Sequence, residues 1–138
     1  MAEKYIVCSG KGGSGKSTVT VGLAAALASA GKRVLCADVD TSVRSLDLLL
    51  ETGEDILFNW YDAAKGNCKK NDAVYDTLYK GVSLLPAPKS TEELTYDEFY
   101  ELILSFESSY DYILFDAENC GKAFDFAAKI GDKARIVT

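Results

Sequence analysis

An α/β domain with a mainly parallel central sheet flanked by helices is the fold this sequence predicts. Three observations carry it. Short apolar runs (YIVC, RVLCA, GVSLL, YILF and ARIVT) alternate with helix-patterned segments along the whole chain. Glycine, proline or aspartate follows most of these runs, where a strand should stop. No repeat, low-complexity tract or linker divides the 138 residues, which suffice for one buried core, so a single domain over residues 1–138 is expected.

Residues 5–8 (YIVC) read as the first buried strand, ended by Ser9 and Gly10. Residues 17–30 then turn helical, with Val19, Gly22, Leu23, Ala26, Leu27 and Ala30 forming one stripe and a mostly alanine face opposite. Gly31 supplies the stop. A second strand covers 33–37 and ends at Asp38. Residues 41–50 read as a loop entering a short helix, 55–65 as a helix and 68–78 as a further short one. GVSLL at 81–85 is a strand closed by Pro86 and Pro88. Thr95 and Glu98 form a capping box ahead of a helix whose inner face carries Phe99, Leu102, Ile103 and Phe106. YILF at 112–115 is a strand ending at Asp116, followed by a short helix near 123–130 and a last strand at 134–138.

Composition narrows the chemistry. The chain has no histidine, which removes histidine-based catalysis and histidine metal sites. A net charge of −6 argues against DNA binding, which needs clustered basic residues. Cys8, Cys36, Cys68 and Cys120 form no CxxC pair and read as reduced thiols, hence a cytoplasmic protein. The amino terminus lacks the apolar core of a signal peptide, and the apolar stretch at 19–31 is too short to span a bilayer. Phe58, Trp60 and Tyr61 read as core rather than as a partner surface.

Ligands of parallel α/β sheets bind beyond the carboxyl ends of the strands, where Gly10, Asp38 and Asp116 all fall. Gly10-x-x-x-x-Gly15-Lys16-Ser17 matches the phosphate-binding loop between a strand and a helix. Its glycines let successive backbone N–H groups curl around a polyphosphate at the positive end of the helix. Lys16 reaches the β- and γ-phosphates, and the Ser17 hydroxyl can ligate Mg²⁺.

The fuller run Lys11-Gly12-Gly13-Ser14-Gly15-Lys16-Ser17, with its second lysine, resembles the deviant loop of the MinD/ParA ATPases. DVDTSVRSLDLLL at 38–50 resembles their switch I, with Asp38, Asp40, Arg44, Leu46 and Asp47 in matching places. GVSLLPAP and YDYILFD resemble the stretch leading to their switch II, so the likeness covers residues 4–138 and points to MinD-type members before partitioning ParA-type ones.

The resemblance implies a three-layer P-loop NTPase-type fold and an ATPase acting as a spatial regulator in cell division or partitioning. Gly10, Gly12, Gly13, Ser14, Gly15, Lys16, Ser17 and Thr18 would bind ATP. Ser17, Asp38 and Asp116 would hold Mg²⁺, Asp116 through water as a Walker B aspartate. Lys16, Asp40 on the attacking water, and Lys11 reaching a partner's nucleotide across a homodimer would be catalytic. A regulatory protein partner is implied too, as is peripheral membrane association if a longer native chain carries an amphipathic helix. The preference for ATP over GTP comes from the resemblance alone.

Departures from the family pattern keep other readings open. Family switch II segments follow Asp-x-Pro-x-Gly, whereas this chain has Asp116-Ala117-Glu118-Asn119-Cys120-Gly121. Ser42 and Ser45 stand where MinD proteins usually have glycine and asparagine. The chain also stops before the segments that hold the adenine base in relatives, as a truncated domain or an unusually short relative would. A non-hydrolysing nucleotide switch or scaffold is the alternative function. An iron–sulfur reductase resembling the nitrogenase iron protein is the remote one, with Cys120 as its suggestive residue.

Overall fold

The computed structural model describes residues 2–9, 16–39, 46–52, 55–89, 91, 93–118, 122–130 and 135–137. Among them six strands form one sheet: β1 (Glu3–Ser9), β2 (Val34–Asp38), β3 (Tyr75–Asp76), β4 (Val82–Leu85), β5 (Tyr112–Glu118) and β6 (Arg135–Val137). Their spatial order is β3-β4-β2-β5-β1-β6. All pairings are parallel except that of the two-residue edge strand β3 with β4. The described helices are α1 (Lys16–Ser29), α2 (Leu46–Leu50), α3 (Trp60–Ala64), α4 (Tyr96–Leu104) and α5 (Lys122–Ile130). The expected three-layer α/β architecture is present.

Alternation along the strands divides the apolar residues between two cores, one on each face of the sheet. Ile6, Cys8, Leu35, Ala37, Ile113 and Phe115 pack with α3, α4 and α5 through Trp60, Phe99, Ile103 and Ala127. Val34, Cys36 and Leu114 pack with α1 and α2 through Val21, Ala24, Leu46 and Leu50. The aromatic cluster is core, as expected: Trp60 is fully buried, and Phe58 and Tyr61 pack beside it. The Thr95–Glu98 capping box forms and starts α4.

Four details differ from the sequence reading. First, α1 buries its aliphatic stripe only in part, with Leu23 and Leu27 half-buried against the second core. Its buried residues are Ser17, Thr20, Val21 and Ala24, while Val19 is 38% exposed and Gly22, Ala26 and Ala30 are exposed. The small, hydroxyl-bearing face lies on the sheet because it permits close approach and carries two hydroxyls to a strand end.

Second, residues 55–59 are not helical. The Leu57 and Phe58 N–H groups donate to the Tyr75 hydroxyl at 2.9 and 3.0 Å, and α3 begins only after the Asn59–Asp62 capping box. That cap, overlooked in the sequence, sets the helix start. Third, residues 68–78 hold a 3-10 turn (Lys70–Ala73) and then strand β3 rather than a helix. Fourth, β5 continues past Asp116 to Glu118, where it pairs with Ser9.

Gly81 joins the turn before β4 to the end of α1. Its φ is +91°, and a Cβ there would lie 3.3 Å from the Ala28 Cβ, so both conformation and space favour glycine.

Candidate functional site

The parallel pairing of β2 with β5 sets Asp38 directly beside Asp116 in register, at the carboxyl ends of both strands. On the other side of β5, β1 pairs Val7 with Asp116 and ends at Ser9, from which the chain enters the glycine-rich run. α1 starts at Lys16 and returns over the same end of the sheet. Topology alone therefore gathers three segments distant in sequence at the carboxyl end of the central strands.

Hydrogen bonds join them. The Ser17 hydroxyl donates to Asp116 Oδ2 at 2.8 Å. The Thr20 hydroxyl, one turn further along α1, donates to Asp116 Oδ1 at 3.0 Å. The Val39 N–H donates to the Asp116 main-chain carbonyl at 2.9 Å, continuing the sheet ladder by one residue beyond β2. Ser17, Thr20, Asp38 and Asp116 are all buried. Buried carboxylates are retained only where donors or cations face them, and here two helix hydroxyls face Asp116. Burial, reinforced by the Asp116 charge, pushes the thiol of neighbouring Cys36 far above its usual range, so it stays protonated and inert.

The donor set suits a hard cation. A serine hydroxyl and two carboxylates are oxygen ligands of the kind Mg²⁺ takes, and no soft ligand stands among them. Because Asp116 already accepts the Ser17 hydroxyl, it fits a role beyond the inner ligands, orienting the serine that would touch the metal.

The structure thus brings Ser17 and Asp116 into direct contact and sets Asp38 in register beside them. Thr18 is exposed on the first turn of α1. Lys16 opens α1, with its side chain outside what is described. Gly10, Lys11, Gly12, Gly13, Ser14, Gly15 and Asp40 lie outside the described residues, as do Ser42, Arg44, Ser45 and Cys120. Cys68 sits between α3 and the 3-10 turn; burial, then Asp62 and Asp72, raises its thiol, which disfavours the thiolate a cluster needs.

Sequence reasoning missed two residues. Thr20 stands three positions after Ser17, hence on the same helical face, and that spacing could have revealed it. Trp60 donates from its indole to the Asp38 main-chain carbonyl at 2.7 Å. No motif marks that contact. A cavity of about 500 Å³ at the opposite, amino end of the strands, lined by residues such as Arg33, Tyr79, Lys80 and Tyr110, contains none of the motif residues.

Comparison with known proteins agrees with this geometry. Residues 5–136 match the family model described as the CobQ/CobB/MinD/ParA nucleotide binding domain. The septum site-determining protein MinD of Helicobacter pylori is 35% identical over 141 residues, covering 99% of this chain and 53% of that protein. The chain spans about half the length of the curated relatives it matches. Among solved structures, the Aquifex aeolicus MinC:MinD complex superposes with a TM-score of 0.84 at 31% identity, over 99% of this chain and 55% of that one. Pyrococcus horikoshii MinD complexed with Mg-ADP gives a TM-score of 0.78 at 29% identity, over 100% of this chain and 58% of that one.

Proposed function

The chain belongs to the CobQ/CobB/MinD/ParA nucleotide-binding family, and from that premise we propose that it binds Mg-ATP, dimerises on it and hydrolyses it as a MinD-type spatial regulator. The observation that carries this reading is the 2.8 Å bond from Ser17 to Asp116. It joins the residue after the loop lysine to the strand-end carboxylate, which is how a phosphate loop and a Walker B strand must meet.

In this reading Gly10, Gly12, Gly13, Ser14 and Gly15 bend the backbone around the phosphates, with Thr18 at the helix start beside them. Lys16 neutralises β- and γ-phosphate charge, and Lys11 does so on a partner's nucleotide. Ser17 would hold Mg²⁺ directly, with Asp116 and Asp38 orienting it from behind. When bound, a magnesium ion held there would supply positive charge against the negative charge of the phosphates. Asp40 orients the attacking water. Support for ATP and magnesium comes from the Mg-ADP complex of the Pyrococcus relative, and support for a regulatory partner from the Aquifex MinC:MinD complex. No described helix is long and apolar enough to cross a membrane.

A second reading rests on one observation. β5 stays extended through Glu118, where relatives place the Asp-x-Pro-x-Gly turn of switch II. A chain altered there would bind nucleotide as a switch or scaffold without turnover. Calorimetry with ATP, phosphate release and light scattering with a non-hydrolysable analogue test both. Affinity with release and a doubled mass supports the ATPase; affinity with no release supports the switch; no affinity defeats both.

A further inference from the structure

Asp116 is held at both carboxylate oxygens by hydroxyls from a single helix face: Ser17 at Oδ2 and Thr20 at Oδ1. We propose that Thr20 is a positioning residue of the magnesium side, fixing the plane of the Asp116 carboxylate so that its other oxygen aims the Ser17 hydroxyl at the ion. The inference rests on the Mg-nucleotide reading of Ser17 and Asp116.

Rotation about the last bond of an aspartate is soft and nearly two-fold. One hydrogen bond at Oδ2 leaves the carboxylate free to swing about that contact. A second, on the opposite oxygen, removes the freedom. Thr20 suits the task because it is fully buried, with its hydroxyl directed at Asp116. The next turn of the same face carries Ala24, also fully buried. Packing alone is therefore met by alanine one turn on, and the hydroxyl at position 20 has a polar purpose. The chain Thr20 to Asp116 to Ser17 is a support of the kind that orients metal ligands elsewhere.

The test compares the wild-type chain with Thr20→Ser, Thr20→Cys and Thr20→Val. Serine keeps the donor, cysteine weakens it and valine removes it at nearly constant volume. Calorimetry at fixed ATP gives the Mg²⁺ concentration at half-maximal binding, and titrations in EDTA give metal-free ATP affinity. Thermal melts without nucleotide report folding. Loss of one hydrogen bond to a carboxylate is expected to raise the Mg²⁺ midpoint of Thr20→Val roughly tenfold, with Thr20→Ser within about twofold of wild type and Thr20→Cys between. Metal-free affinity should match in all four. A merely structural threonine would lower the melting temperature and leave the Mg²⁺ midpoint in place, and that result overturns the proposal. If valine prevents folding, the cysteine–serine comparison decides on the same criterion. A wild-type chain that binds ATP with no dependence on Mg²⁺ overturns the positioning role alone; one that binds no ATP at all overturns the functional reading with it.

Discussion

The indole Nε1 of Trp60 donates to the main-chain carbonyl of Asp38 at 2.7 Å, and the Trp60 main-chain N–H donates to the carbonyl of Pro86 at 3.1 Å. One buried residue at the start of α3 thereby ties the carboxyl ends of β2 and β4 together. It also packs edge-on against Phe99, with ring centroids 5.1 Å apart. Trp60 is the chain's single tryptophan, so its emission reads out the strand end next to the proposed switch I. Binding of Mg-ATP is expected to change that emission. A titration in which calorimetry registers binding and the fluorescence stays constant would show that the end of β2 does not respond to nucleotide.

Replacing the indole separates packing from hydrogen bonding. Trp60→Phe retains a ring against Phe99 but withdraws this donor from a buried carbonyl. The expected loss is about 1–3 kcal/mol in urea unfolding. A loss no greater than a surface substitution causes would mean that the indole bond contributes little to holding β2.

The five parallel strands were legible from sequence because they are short apolar runs bounded by breakers, whereas the two-residue edge strand Tyr75–Asp76 has no such run. The α1 face was not. An aliphatic count favours Val19, Leu23 and Leu27, of which Leu23 and Leu27 are half-buried, whereas the helix turns Ser17, Thr20, Val21 and Ala24 fully inward and so brings two hydroxyls to Asp116. The Ser17–Asp116 contact was legible through the motif and the strand-end aspartate. The Trp60–Asp38 bond was not, since it joins a side chain to a carbonyl 22 positions away with no periodicity to betray it. The start of α3 was missed because an apolar run before Asn59 masks the cap.

The two loop lysines should separate by assay. Lys16→Ala is expected to weaken ATP binding at least a hundredfold, since in the proposed reading it removes the cation that meets the β- and γ-phosphates. Lys11→Ala should bind ATP within about threefold of wild type yet fail to double in mass with a non-hydrolysable analogue. Light scattering beside calorimetry reads both. A Lys11→Ala variant that still dimerises contradicts the trans role for that lysine.

Far from the site, Lys4 in β1 forms a buried ion pair with Glu107 beyond α4, with side-chain exposures of 7% and 14%. Glu107→Ala takes this partner from a buried ammonium and is expected to cost about 3 kcal/mol. The double replacement Lys4→Met with Glu107→Leu removes both charges and should recover most of that loss. Urea denaturation of wild type, Lys4→Met, Glu107→Leu and the double replacement gives the coupling. Simple additivity of the two single changes would show the pair to be worth little.

Acid stability should depend on Asp111 and Glu98. Hydrogen bonds from the Arg33 side chain, then from its backbone N–H, hold Asp111 below the usual carboxylate range. For Glu98 the backbone N–H of Thr95 acts first and the Lys65 ammonium second. A carboxylate with a folded-state pKa below its unfolded value binds fewer protons when folded. Its stabilisation is therefore present above the unfolded value, near pH 4, and is lost as pH falls through the lower folded value. Both groups are partly exposed to solvent, so salt should shrink the effect. Urea midpoints followed from about pH 7 down to about pH 2.5 should fall less steeply for Asp111→Asn with Glu98→Gln than for wild type. Parallel curves would assign the acid limb to other carboxylates.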